Sequence, residues 1–311
     1  MTDYKPEGWL IHTSENREAT RSLSALQDAM QQKKILEARA AVCTANHDLL
    51  VDFGFCRGMI PREEGAVGIA DGSTRDIALI SRVNKPVCFL VTGFSTDEKG
   101  EPMPILSRKK AQELCREQYL SQKIPGDVLD ARVTHMEPFG CFVDVGCGIP
   151  SLIPIDCISV SRIFHPKDRF TNGQDIKAVI RSIDENERIT LSHRELLGTW
   201  EENASLFTVG ETVSGIIRSV EDYGIFVELT PNLAGLAEPK EGVFPGQQAS
   251  VYIKNLLPEK MKAKLIIVDA FDSVYKPDPL RYFRLGGHID RWVYSPEGAS
   301  RQIISEFSPL K

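Results

Sequence analysis

The sequence predicts a mainly β protein: three small closed five-stranded barrels in series, joined by helical connectors and preceded by an N-terminal helix. Three observations carry this. A stretch beginning at Gly126 recurs from Gly210, with a fainter copy upstream. Short apolar/polar alternations mark strands inside each copy. Capped amphipathic segments fall at the joints.

GDVLDARVTHMEPFGCFVDVG from Gly126 aligns without a gap on GETVSGIIRSVEDYGIFVELT from Gly210. Gly126, Glu137, Gly140, Phe142 and Val143 recur as Gly210, Glu221, Gly224, Phe226 and Val227. Phe139 recurs as Tyr223, Asp144 as Glu228 and Val145 as Leu229. The register continues from IPSLIP at Ile149 to LAGLAE at Leu233. Upstream, LLVDFG from Leu49 aligns on CFVDVG, and GMIP from Gly58 on SLIP after one inserted residue. ILSRKKAQEL from Ile105 resembles TLSHRELLG from Thr190.

Within each copy the period is two. Cys141, Val143 and Val145 alternate with Phe142 and Asp144. The first set is expected to face a barrel core and the second to face outward. Ile225, Val227 and Leu229 alternate with Phe226 and Glu228 in the same way. Residues 175–184 and 188–192 read as two more strands joined by the turn DENE. Closing such short strands into a barrel removes exposed sheet edges.

The joints carry helix signals. Ser107 is an N-cap ahead of Ala111, Leu114, Cys115 and Tyr119 at helical spacing, and Pro125–Gly126 ends that stretch. Ser192 similarly precedes Leu196, Leu197, Trp200, Ala204 and Phe207, with Gly210 beyond. A further helix is predicted over residues 15–34, with Leu23, Leu26 and Met30 on one face. The expected divisions are an N-terminal helical segment at 1–33, a first repeat at 34–107 and a connector at 108–124. A second repeat follows at 125–192, a connector at 193–207, a third repeat at 208–270 and a C-terminal segment at 271–311.

Composition narrows the class. The chain has 311 residues and a formal net charge of −6. A uniformly basic nucleic-acid coat is excluded, so any nucleic-acid surface is a local patch. No window approaches the roughly 18 apolar residues of a membrane span, and the charged N-terminus lacks a secretory apolar core. Seven cysteines, an odd number with no CxxC pair, suit buried reduced thiols. A cytoplasmic protein without membrane contact is expected.

The motif VLDARVTHMEPFGCFVDVGCGIPSLIP…ITLSHRE resembles the RNA-binding OB-fold repeat named after bacterial small-subunit ribosomal protein S-one. Three copies in series, the SRKKAQE connector and the ending HIDRWVYSPEG resemble the tandem-repeat S-one-like family. The resemblance implies RNA held on one barrel face. Contacts would come from two aromatics around the second strand, a His on the third, and an Asp and Arg in the turn before the fifth. In the second repeat these positions hold Phe139, Phe142, Asp184 and Arg188, with Pro154 in place of the His. In the third they hold Tyr223 and Phe226, with Glu238 at the His position and Lys262 nearest the Arg. In the first, His47 and Leu50 replace the aromatics. That difference favours protein rather than RNA as the partner of the first repeat, among them small ribosomal subunit proteins.

The chemistry of these residue types fits. Base–aromatic stacking contributes about 1–3 kcal/mol per base in single strands. Phe139 lies three residues before Phe142, so a bulge at Gly140 would be needed to bring both rings to one side. Gly224 would do the same for Tyr223 and Phe226. For phosphates, SRIFHPKDRF offers Arg162, His165, Lys167 and Arg169, interleaved with Phe164 and Phe170. In the third repeat Glu228 and Glu238 are expected beside the phosphate path, partly offset by Lys260, Lys262 and Lys264. The C-terminal segment carries Tyr282, Trp292 and Tyr294, expected to pack on the third barrel.

Catalysis has no support in the pattern. The six histidines are scattered without metal-ligand spacing. There is no phosphate-binding glycine loop and no nucleophile elbow. No cofactor is implied. The expected function is non-enzymatic binding of single-stranded RNA, messenger RNA above all, in the translation apparatus. A protein–protein adaptor docking on the ribosome or another RNA-processing complex is the alternative, and a general RNA regulator is a third.

Overall fold

The computed structural model describes residues 4–272 and 279–307. Three closed barrels follow one another. The first contains β1 (Leu36–Cys43), β2 (Leu49–Asp52), β3 (Arg57–Ile60), β4 (Pro86–Thr96) and β5 (Pro102–Ser107). The second contains β6 (Val128–Glu137), β7 (Gly140–Asp144), β8 (Pro150–Pro154), β9 (Asp175–Ile183) and β10 (Ile189–Ser192). The third contains β11 (Thr212–Glu221), β12 (Gly224–Thr230), β13 (Leu233–Ala237), β14 (Gln248–Leu257) and β15 (Lys262–Phe271). In each, the third strand meets the fifth in parallel and so closes the ring. The closing pairs are Met59 with Ile105, Leu152 with Thr190, and Gly235 with Ala263.

The alternation read from sequence fills the cores. Cys141, Val143 and Val145 are buried in the second repeat, and Ile225 and Val227 in the third. The first core gathers Leu36, Leu49, Val51, Ile60, Phe89 and Leu106. The third gathers Ile217, Val251, Ile253 and Leu265 with Ile225 and Val227.

The helical segments are more broken than the periodicity suggests. The N-terminal helix is two: α1 (Ser14–Ala19) and α2 (Leu23–Gln31). Ser22 is extended and its hydroxyl accepts from Ala25 N–H, which starts a new helix. An additional short α3 (Ile77–Ile80) lies between β3 and β4. Ser107 caps α4 (Arg108–Gln118) as expected, accepting from Lys110 N–H. The next connector is a 3-10 turn at Arg194–Leu197, a break at Gly198, and α5 (Trp200–Ala204). Thr199 and Glu202 cap α5 reciprocally, so Thr199 rather than Ser192 starts that helix.

The chain forms two compact units. Unit one is Met1–Lys123 with Asp130–Arg132 and Asp144–Pro150; unit two is Ile124–Leu129, Val133–Val143 and Ser151–Lys311. In unit one the N-terminal segment is held through carboxylates. Glu37 accepts from the N–H groups of Gly8, Leu10 and Ile11 at 2.9–3.0 Å. Glu7 accepts from Arg108 Nε at 2.6 Å, Arg108 Nη2 at 3.0 Å and Cys88 N–H at 3.1 Å. Burial raises the Glu7 carboxyl, but the Arg108 and Arg82 guanidiniums override it and hold it below the usual carboxylate range. Burial also pushes Glu37 up to about 7, with the neighbouring Glu7 charge adding to it.

In unit two the C-terminal segment packs more widely than on the third barrel alone. Trp292, Tyr294, Ile289 and Phe307 join Trp200 of α5, Leu233 of β13 and Val179 of β9 in one cluster. The pair β16 (Arg291–Val293) and β17 (Ile304–Glu306) lies within this segment. Tyr282 reaches the second barrel instead: its hydroxyl accepts from Lys177 N–H at 3.1 Å and lies 3.2 Å from His193 Nε2. Five cysteines are buried and Cys43 and Cys56 are half-buried, all as free thiols.

Candidate nucleic-acid interface

Phe139 and Phe142 lie on one side of the second barrel. Their centroids are 6.0 Å apart and their planes meet at 89°. The route differs from the expected bulge. Phe139 belongs to the two-residue turn between β6 and β7, where strand alternation does not apply, while Phe142 is on β7 proper. Gly140 has another role: a Cβ there would lie 2.6 Å from the Ile153 carbonyl oxygen, so only glycine lets β8 approach. Phe139 is 57 % exposed, so its ring is open to solvent and to a ligand. His135 stacks on Phe142 at 6.4 Å and 25°, and its Nε2 lies 2.5 Å from a Glu137 carboxylate oxygen. Sequence reasoning passed over His135; its position two strand steps from the turn, beside the ring pair, was the available signal.

The third barrel repeats the arrangement. Tyr223 sits in the β11–β12 turn, 67 % exposed, with its ring 6.2 Å from Phe226 at 87°. A Cβ on Gly224 would meet the Ala237 carbonyl oxygen at 2.6 Å, the counterpart of Gly140. Phe226 pairs with Leu236, which pairs with Lys264. Lys260, Lys262 and Lys264 are all exposed. At the corresponding positions the first barrel has no rings; its Phe53 and Phe55 stack instead after β2, 6.2 Å apart at 29°. His47 sits in a turn with a left-handed backbone, its Nδ1 3.6 Å from an Asp76 oxygen, and Leu50 is half-buried rather than fully outward.

The cations of residues 162–169 divide. Arg162 and Lys167 are exposed, and the Arg162 guanidinium lies 5.5 Å above the exposed Phe164 ring. His165 is half-buried and its Nδ1 accepts from Lys167 N–H, capping a short turn. Arg169 does not join them. It is 4 % exposed and donates to Glu228 at 2.6 Å, so it is turned inward and withdrawn from phosphate. Asp184 is exposed and its carboxylate accepts from the N–H groups of Asn186 and Arg188 at 2.8 and 2.9 Å. It therefore shapes the β9–β10 turn and presents the Arg188 guanidinium, which is exposed and unpaired among the described residues.

Two acids expected to face outward are covered. Asp144 is 3 % exposed; it accepts from Glu7 N–H at 2.7 Å and from the Gly146 and Gly148 N–H groups at 2.8 and 3.0 Å. Its repeat counterpart Glu228 is 5 % exposed and is gripped by Arg169 and by Arg218 at 2.8 and 3.1 Å. Glu228 is thus neutralised away from any phosphate path, contrary to the sequence expectation. Glu238 remains exposed, 3.5 Å from Lys254. Among the described residues no cluster of metal-ligating side chains forms, and no helix is long and apolar enough to cross a membrane.

Residues 122–194 match the S1 RNA binding domain. Over 291 residues the chain is 28% identical to the small ribosomal subunit protein bS1 of Staphylococcus aureus, covering 88% of this chain and 71% of that one. It is 29% identical over 230 residues to the small ribosomal subunit protein bS1 homolog of Bacillus subtilis, covering 73% and 58% respectively. Among solved structures, a multidomain protein with nucleic acid binding domains from Streptococcus pneumoniae aligns over 78% of this chain and 76% of its own, at 15% identity and a TM-score of 0.25.

Proposed function

We propose that this chain is an S1-like protein of tandem RNA-binding repeats that holds single-stranded messenger RNA, chiefly on its second barrel, beside the small ribosomal subunit. The observation that carries this reading is the Phe139–Phe142 pair, the first ring exposed and the second half-buried, with the free Arg188 in a turn of the same barrel. The rings stack bases and the cations meet phosphates; repetition on the third barrel adds avidity along one strand. The role is binding without catalysis, in the cytoplasm. Phe139, Phe142, Arg162, His165, Lys167, Arg188, Tyr223, Phe226 and Lys262 are the proposed contacts, with Asp184 positioning Arg188. His135 joins them. Arg169 leaves the set because its charge is spent on Glu228. The first barrel, with His47 and Leu50 where the other two carry their rings, takes a protein partner.

The direct test is titration of a short single-stranded RNA. Phe142→Ala is expected to weaken binding by about 1–3 kcal/mol. An unchanged affinity in a folded variant removes the stacking role.

Ionic strength gives a second test. Two to four phosphate contacts, about what the exposed Arg162, Lys167 and Arg188 can supply, correspond to a log–log slope of roughly −1.4 to −2.8 for single strands. A slope near zero moves the reading to a protein–protein adaptor.

The third barrel gives a third. With Glu228 neutralised, Glu238 is an exposed carboxylate two residues beyond Leu236, the cross-strand partner of Phe226. It also engages Lys254. Glu238→His is expected to raise RNA affinity, most at low salt, because repulsion is removed and Lys254 is released. Affinity that falls or stays constant at every ionic strength places Glu238 away from the RNA.

A further inference from the structure

Unit two contains a cleft of about 320 Å³, apart from both ring pairs. Its walls include Arg169, Glu228, Ser214, Gln248, Arg281 and Phe283. The segment bearing the last two is firmly held. Phe283 N–H donates to the Leu196 carbonyl at 2.9 Å, and Tyr282 is anchored in the second barrel as described. The Phe283 ring packs on Gly198, where a Cβ would lie 2.6 Å from the ring. The Arg281 guanidinium lies 5.3 Å above the Phe283 centroid. The cleft thus has an aromatic wall with a planar cation beside it.

Its polar groups are as telling. Arg169 is buried, and although Nη2 serves Glu228, its Nε–H has no acceptor. A buried donor left unmade is costly, typically by about 1–3 kcal/mol, so an acceptor supplied by a ligand is favoured there. The Gln248 amide and the Ser214 hydroxyl also have no partner among the described residues. Charge on the walls is balanced, since Arg169 and Arg281 stand against Asp168 and Glu228. That disfavours a bare phosphate and a bare cation equally. A flat, neutral group with donors and acceptors on its edge satisfies all of these features. The volume stands at the small end of ligand pockets, roughly 300–1,000 Å³, enough for a nucleoside but not a large cofactor.

We propose that this cleft binds a single nucleobase, stacked on Phe283 and Arg281 with its edge toward Arg169 and Gln248. The base comes from the bound RNA strand or from a free nucleotide; the choice of nucleobase as ligand rests on the RNA-binding reading above. A strand base captured here would be a contact additional to the two ring pairs.

The full chain is tested with each of the four nucleoside monophosphates by saturation-transfer NMR and with a labelled single-stranded RNA by fluorescence anisotropy. Arg281→Ala, at an exposed position that leaves the fold intact, and Phe283→Ala are compared with Phe142→Ala. Saturable nucleotide binding, weakened about tenfold or more by the two cleft variants and untouched by Phe142→Ala, supports a free-nucleotide site. RNA affinity lowered by Arg281→Ala, within the roughly 5- to 150-fold range of one stacked base, supports capture of a strand base. No nucleotide binding together with unchanged RNA affinity in both cleft variants overturns the proposal. Loss of the RNA-binding reading registers separately, as indifference of RNA to Phe142→Ala.

Discussion

Glu7→Gln is expected to destabilise unit one by about 3–5 kcal/mol, the range for removing one partner of a buried ion pair. Glu7 and Arg108 have side chains 5% and 4% exposed, and the substitution leaves the Arg108 charge stranded. Arg82, 3.3 Å from Glu7, loses its partner too. The Arg108 guanidinium shows the coupling from the other side: burial alone would pull it down, yet Glu7 holds it above the ordinary arginine range. Cys88, Cys115 and Cys147 report the effect, since all are buried in unit one. Their alkylation through opening of the unit should accelerate by about two to nearly four orders of magnitude, at 1.4 kcal/mol per tenfold. Glu7→Gln combined with Arg108→Met should recover much of the loss, because an apolar side chain tolerates burial where a lone cation does not. Thiol reactivity in Glu7→Gln equal to that of the parent chain would show that the pair does not hold the unit together.

Much of this architecture was legible in the sequence, and what was not has a common cause. The ungapped repeat and the period-two alternation located the barrels, because a core face obeys only local rules. The ring pairs followed from the same alignment, although their mechanism did not. Phe139 and Tyr223 reach the face from turns, which no alternation describes. Asp144 and Glu228 point outward as their strands require, but outward is not solvated when a distant segment covers the site. The Glu7 N–H that meets Asp144 is 137 residues away in the chain. Arg169 is hidden for the same reason: within a run of cations, nothing local marks the one that turns inward to an acid in another repeat. The N-terminal helix broke at Ser22 because a capping hydroxyl competes with continuation, a signal that apolar spacing alone overrode.

The two units should respond to acid in opposite directions. In unit two His193 is buried; its Nδ1 donates to the Ile158 carbonyl at 3.0 Å, so Nε2 is left to accept from the Tyr282 hydroxyl at 3.2 Å. Neutral imidazole satisfies both contacts. Burial, with Arg169 nearby, pushes His193 down to about 4 against an ordinary 6.5. Between these values the unfolded chain binds a proton that the folded chain refuses, so stability falls as pH falls, by roughly 3 kcal/mol in full. In unit one Glu37 is pushed up to about 7 against an ordinary 4.5. There the folded chain keeps a proton that the unfolded chain releases, so stability rises as pH falls through that window. Asp144 is raised by burial and by the Glu7 charge and acts in the same sense. Glu7 itself, held low, matters only below the window. Hydrogen exchange of protected amides, corrected for intrinsic rates, reads each unit separately. From pH 7 to 4.5, protection at Trp200 in unit two should drop while that at Cys88 in unit one should grow. His193→Gln should abolish the fall in unit two, leaving the opposite contribution of His288, whose proton Asp127 and Asp290 hold, and leave the dependence of unit one intact. Parallel slopes in both units, or a fall in unit two that survives His193→Gln, would show that the buried imidazole does not control the acid response.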